Sequence, residues 1–112
     1  MTKKRLQPAD RKREILNAAI KVAGRPGGWG KLTRDAVAKE AGCAEGLVSK
    51  YFGTMITFRR SIMREAIRLA ELGSTPAAIY HSVIAQGLAG GDKCAKKADE
   101  SLKRKALETL AG

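Results

Sequence analysis

An all-α fold is what this chain predicts: a three-helix bundle containing a helix-turn-helix, followed by a connecting fourth helix and two short C-terminal helices. Three observations carry that prediction. Apolar residues recur at helical spacing through most of the 112 residues, and no stretch alternates apolar and polar residues between turn signals as a half-buried strand does. Aromatic residues make up only 4% of the chain against 44% hydrophobic residues, so the core must be assembled from Ala, Leu, Ile and Val, as small helical proteins can be. The stretch LTRDAVAKEAGCAEGLVSKYF, residues 32–52, reads as a helix, a glycine-centred turn and a second short helix.

Each element has its own signals. Residues 1–7, MTKKRLQ, are basic and without periodicity, and read either as a flexible arm that reaches along DNA or as a solvated terminus. Pro8 suits the first position of a helix and Asp10 its first turn, and Ile15, Leu16, Ala19, Ile20 and Val22 then keep helical spacing up to Ala23. GRPGGWG, residues 24–30, must be a loop. It lacks the preceding strand and the Lys-Ser/Thr end of a phosphate-binding loop, and Trp29 is expected to pack on the first helix. Thr33 is a good N-cap for a second helix over Arg34 to Ala41, which Gly42 ends; a third helix runs from about Ala44 through Tyr51. Thr54 caps a fourth helix reaching about Leu72, with Phe58, Ile62, Ala66 and Leu69 in one row and Met63, Ile67 and Ala70 in a neighbouring one. Ser74 or Thr75 is expected to cap a fifth helix from Pro76 to Leu88, and Asp92 a sixth from about Lys93 to Leu110, whose thin apolar stripe demands a partner.

A chain of this length is one domain's worth, too small for a multidomain enzyme. It carries 22 Lys and Arg against 11 Asp and Glu, a formal net charge of +11, which points to a polyanionic partner, nucleic acid before anionic membrane. Ten of the basic residues fall in residues 1–34 against only Asp10 and Glu14, so the positive charge gathers on the leading helix and at the start of the helix-turn-helix. Cys43 and Cys94 have no CxxC partner or nearby His, so they predict free thiols in a reducing cytoplasm and no metal or cofactor. No apolar run reaches the roughly 20 residues that span a bilayer, and the N-terminus has no signal-peptide core, so a soluble cytoplasmic chain with no membrane association is expected.

RKREILNAAIKVAG, the glycine loop, LTRDAVAKEAG, CAEGLVSKYFGT and the amphipathic helix after them resemble the DNA-binding domain of the tetracycline-repressor (TetR) family over about residues 8–70. The most specific match is the combination of Thr33, the Ala41-Gly42 pair, Gly46 and the Tyr51-Phe52 pair. The resemblance implies that the third helix lies in the major groove. Helical geometry then puts Val48 and Phe52 inward and Gly46, Leu47 and Lys50 outward, flanked by Glu45, Ser49 and Tyr51. Gly46 would admit the DNA closely, Leu47 meet a thymine methyl and Glu45 accept from cytosine N4, with Lys50 and Tyr51 directed to phosphate. Thr33 and Arg34 resemble the family's backbone anchors at the start of the second helix. Three positions depart from the family's frequent Ser, Tyr and Lys, namely Ala44, Ser49 and Met55; Ala44 leaves the third helix without a side-chain cap.

The family continues into a long helical domain that binds an inducer and dimerises, but here only about 40 residues come after the fourth helix. Two short helices are expected to enclose no pocket of about 300 Å³ or more, hence no small-molecule inducer. They are expected instead to pair two subunits. The chain therefore divides into a basic arm (1–7), a helix-turn-helix DNA-binding domain (8–55) and a helical dimerisation region (56–112). The function this implies is a sequence-specific DNA-binding transcriptional regulator, a repressor that binds palindromic double-stranded DNA as a homodimer. The alternative is a protein-binding adaptor that uses a degenerate helix-turn-helix, with Leu47 and Met55 as apolar contacts. An enzyme is not expected: the single histidine, His81, has no paired Ser, Cys or carboxylate at suggestive spacing.

Overall fold

The computed structural model describes residues 8–111, which form seven helices joined by short loops, with no strand among the described residues. The basic arm expected at residues 1–7 lies outside them. Helix α1 (Pro8–Ala23) buries Ile15, Ala19, Ile20 and Ala23, the i, i+4, i+5 and i+8 positions of one face, together with Ala18 and Val22. Helices α2 (Arg34–Ala41), α3 (Glu45–Phe52), α4 (Met55–Glu71) and α5 (Ala77–Ala89) fall within about a residue or two of where caps and periodicity put them.

Two expectations need correction. The fifth helix is not capped by Ser74 or Thr75: its N-cap position is Pro76, which has no side chain able to accept from the helix and makes no capping hydrogen bond. The expected sixth helix is two helices, α6 (Lys93–Lys96) and α7 (Glu100–Ala111). Asp99 causes the break, because its carboxylate accepts from the Ser101 N–H at 3.0 Å and its carbonyl from the Lys103 N–H at 2.9 Å, starting a new helix where the apolar pattern alone continues the old one.

Helix α5 is the hub. It packs on α4 and α7 and also touches α1 and α6, and Val83, Ile84 and Ala85 have no exposed surface. Gly87 permits this closeness: a Cβ there would collide with Met63 Cε and reach Ala95 Cβ and Asp92 Cβ at 3.4 Å. The thin C-terminal stripe, which demands either the preceding helices or a second copy of the chain as partner, packs on α5 within one chain, burying Ala95, Ala98, Leu102 and Ala106. Among the described residues the large apolar side chains left outside are Ile56, Leu72 and Leu107, at 70%, 67% and 49% exposure.

Polar side chains of α5 also hold the glycine loop. Gln86 accepts from the Trp29 N–H at 3.0 Å and donates to the carbonyls of Ala23 at 2.8 Å and Arg25 at 3.1 Å, while Ser82 Oγ donates to the Gly24 carbonyl at 2.8 Å. Trp29 is 7% exposed, and its other partner is on α4: Arg59 donates to its carbonyl at 2.7 Å and lies 4.8 Å above its ring. Arg59 of α4 thus covers the indole, while Gln86 of α5 holds the Trp29 backbone. One apolar cluster runs from Ile15 through Val48, Phe58 and Ile84 to Ala106, so no gap in the core separates residues 8–55 from the C-terminal helices.

Candidate nucleic-acid interface

Each joint of the helix-turn-helix has a local cause. Thr33 sits in extended backbone and its Oγ1 accepts from the Ala36 N–H at 3.1 Å, which starts α2. Gly42 ends α2 at φ 71°, ψ 35°, a left-handed conformation costly for residues with a Cβ, and the Cys43 N–H closes the turn on the Ala38 carbonyl at 3.0 Å. Ala44 holds the N-cap position of α3 in extended backbone with no side-chain hydrogen bond, as its methyl group dictates.

Helix α3 stands on Val48, fully buried, and Phe52, 6% exposed, whose ring centroid lies 4.9 Å from that of Phe58 on α4. That fixes which face looks outward. Glu45, Gly46, Ser49 and Lys50 are exposed, and a Cβ built on Gly46 meets nothing within 4 Å. Leu47 and Tyr51 are half-buried and pack partly against the core, so each presents one edge to solvent. The six candidate residues on α3 therefore form one surface, with four fully outward and two on its margins.

The two anchors on α2 differ. Thr33 is exposed, and its hydroxyl, though engaged as an acceptor, retains a proton for a phosphate oxygen. Arg34 is a brace: its guanidinium donates to the Gly53 carbonyl at 3.1 Å, tying the start of α2 to the end of α3, and its Nε is buried without a partner. That geometry limits Arg34 to whatever its remaining N–H groups reach. Met55, at the start of α4, is half-buried and packs against the core.

The fold adds residues that the sequence does not single out. Lys12 of α1 places its ammonium 5.8 Å from the Phe52 ring centroid, which brings one cation of the basic run 11–13 to the end of α3. Thr54 accepts from the Thr57 N–H at 3.2 Å, and the two hydroxyls lie 3.1 Å apart at the exposed start of α4, beside Ile56. A run of three cations carries no information on which one turns towards α3, so only packing distinguishes Lys12. Four other basic residues of this region are dispersed: Arg11 pairs with Glu14 at 3.1 Å, Arg25 with Glu40 at 2.7 Å, and Arg13 and Lys21 line a cleft against α4 and α5.

Among the described residues no group of His, Cys, Asp and Glu is arranged to hold a metal, and no helix is long and apolar enough to cross a membrane. The fold does bring His81 into one shallow cleft with Asp99 and Ser101, a neighbourhood invisible in their spacing. Asp99 is committed to starting α7, and neither residue hydrogen-bonds the imidazole, so the trio lacks the linkage that nucleophile activation requires.

In comparisons with known proteins the chain matches no family model, no curated protein and no solved structure.

Proposed function

We propose that this chain is a sequence-specific DNA-binding transcriptional regulator of the tetracycline-repressor type, a repressor that acts in the cytoplasm by occupying a palindromic operator as a homodimer. The observation that carries this reading is the outward face of α3. Glu45, Gly46, Ser49 and Lys50 project from a helix locked by Val48 and Phe52, on a chain of net charge +11. Gly46, the second residue of α3, weakens the helix relative to Ala by less than the roughly 1 kcal/mol of an interior glycine, and it fills no packing need in the free protein. Close approach by a partner accounts for its presence. Among the described residues the large exposed apolar side chains are Ile56, Leu72 and Leu107, and on this reading the two subunits come together on the two half-sites of the operator rather than in free solution. The adaptor alternative would rest on Leu47 and Met55, both half-buried and packed against the core.

Selection of bound duplexes from a random pool tests the reading directly. A two-fold symmetric motif is expected, bound about a thousandfold more tightly than random duplex at matched salt. Gly46→Ala is expected to fold at least as stably as the parent yet lose about tenfold or more in affinity for that motif. Lys50→Ala should lower affinity for all duplexes and make the salt dependence shallower. Equal affinity for every duplex, or full binding by Gly46→Ala, would overturn the proposal.

A further inference from the structure

We propose a small-molecule site for an aromatic or alkyl organic anion in the cleft between α1, α4 and α5. This cleft holds about 400 Å³, within the range of ligand pockets, and is open on one side. Of the three helices after α4 only α5 lines it; α1 supplies the third wall, which the spacing of the C-terminal helices gives no reason to expect.

The floor is apolar, made by Ile20 of α1, Leu69 of α4, and Pro76 and Ile79 at the start of α5. Along the α1 wall stand Arg13 and Lys21, eight residues and so about 12 Å apart on the helix axis, both exposed. Neither makes a direct ion pair among the described residues, whereas Arg11 and Arg25 of the same region do, although Arg13 lies near enough to Glu65 for its charge to help stabilise that carboxylate. On the α4 wall Arg68 donates two hydrogen bonds to Glu65, at 2.8 and 2.9 Å, and these hold the Glu65 carboxyl below its ordinary range. That carboxylate is satisfied and mostly buried, so the cleft offers a ligand an excess of two positive charges over an oily base.

An anion with a flat or chain-like apolar body matches both features at once. The body removes Leu69 and Ile79 from water, and the charged group reaches Arg13 or Lys21 at the rim. The hydroxyl of Tyr80 and the amide of Asn17 offer neutral hydrogen bonds to a second polar group. A cation is disfavoured by the same field, and a neutral ligand gains only the floor. The proposal stands apart from the DNA reading, since none of these residues belongs to the α3 face.

The test uses two fluorescent probes with the same aromatic body: 1-anilinonaphthalene-8-sulfonate, an anion, and N-phenyl-1-naphthylamine, which lacks the sulfonate. The full chain is expected to bind the anionic probe at one site and more tightly than the neutral one. Replacing both Arg13 and Lys21 by Ala should weaken the anionic probe about tenfold and leave the neutral probe within about twofold. Asn17→Trp, which fills the cleft from an exposed position, should abolish both signals while helical circular dichroism is retained. Arg64→Ala with Lys97→Ala, in the separate groove between α4 and α6, should change neither. Anionic-probe binding that survives both cleft variants, or falls equally with the groove pair, would overturn the assignment.

Discussion

The residue scale is where two helical glycines separate. Gly46 is the second residue of α3 and Gly87 lies inside α5, and both forgo helix propensity that Ala would give, roughly 1 kcal/mol in an interior and less in a first turn. At Gly46 an added methyl group enters open space, so Gly46→Ala is expected to stabilise the fold by up to about 1 kcal/mol. At Gly87 it meets Met63 Cε, and Met63 has no exposed surface into which that end can swing, while Ala95 Cβ and Asp92 Cβ close the other side at 3.4 Å. Overpacking of this kind costs about 1–3 kcal/mol, so Gly87→Ala is expected to lower stability despite its better propensity. Urea midpoints measured on both variants check the opposite signs. Combining Gly87→Ala with Met63→Val should recover part of the loss, because shortening Met63 removes the collision; no coupling between the two changes would refute the packing account.

At the scale of single elements, the ends of helices decide more than their middles. Helix α3 has eight residues, too few to be stable alone, and Ala44 gives it no cap. The Ala44 backbone is already extended at φ −76°, ψ 145°, the geometry a capping Ser uses, so Ala44→Ser needs no rearrangement and is expected to add about 1 kcal/mol, visible as a raised urea midpoint. Helix ends also explain what is legible in the sequence. Thr33, Gly42, Thr54 and Asp92 announce their roles, because a short hydroxyl or carboxylate ahead of an apolar pattern, or a glycine after it, has one economical use. Asp99 does not, because it lies among Lys and Glu residues in a pattern that reads as continuous, and the apolar spacing across the break from Ala95 and Ala98 to Leu102 and Ala106 stays helical. The inward face of α3 is legible from the spacing of Val48 and Phe52. The bracing role of Arg34 is not, since its partner, the Gly53 carbonyl, is a backbone atom 19 residues away. The cleft between α1, α4 and α5 is hidden for the same reason: its walls are separated in sequence by some fifty residues.

For the molecule as a whole, the consequence of the continuous core is that α3 and the C-terminal helices fold together. Gln86 of α5 reaches the loop that links α1 to α2 with three hydrogen bonds, and through Trp29 the same loop is tied to Arg59 of α4. Replacing the amide by an apolar side chain of similar size leaves the Trp29 N–H and the Ala23 and Arg25 carbonyls without these partners in a partly buried place, so Gln86→Leu is expected to cost about 2–3 kcal/mol. Trp29 is the chain's only tryptophan, which makes its fluorescence a local probe of this junction, while circular dichroism averages over all the helices. In the parent chain the two signals should lose structure at the same urea concentration, as one cooperative unit requires. In Gln86→Leu both should move together to lower urea. A tryptophan transition that separates from the helical one in the parent would mean that the helix-turn-helix unfolds independently of α5, and the single-core account would fail. Joint movement would instead make α5 part of the machinery that holds α2 and α3 in place, and changes at Gln86 should then weaken duplex binding without altering a residue of the α3 face.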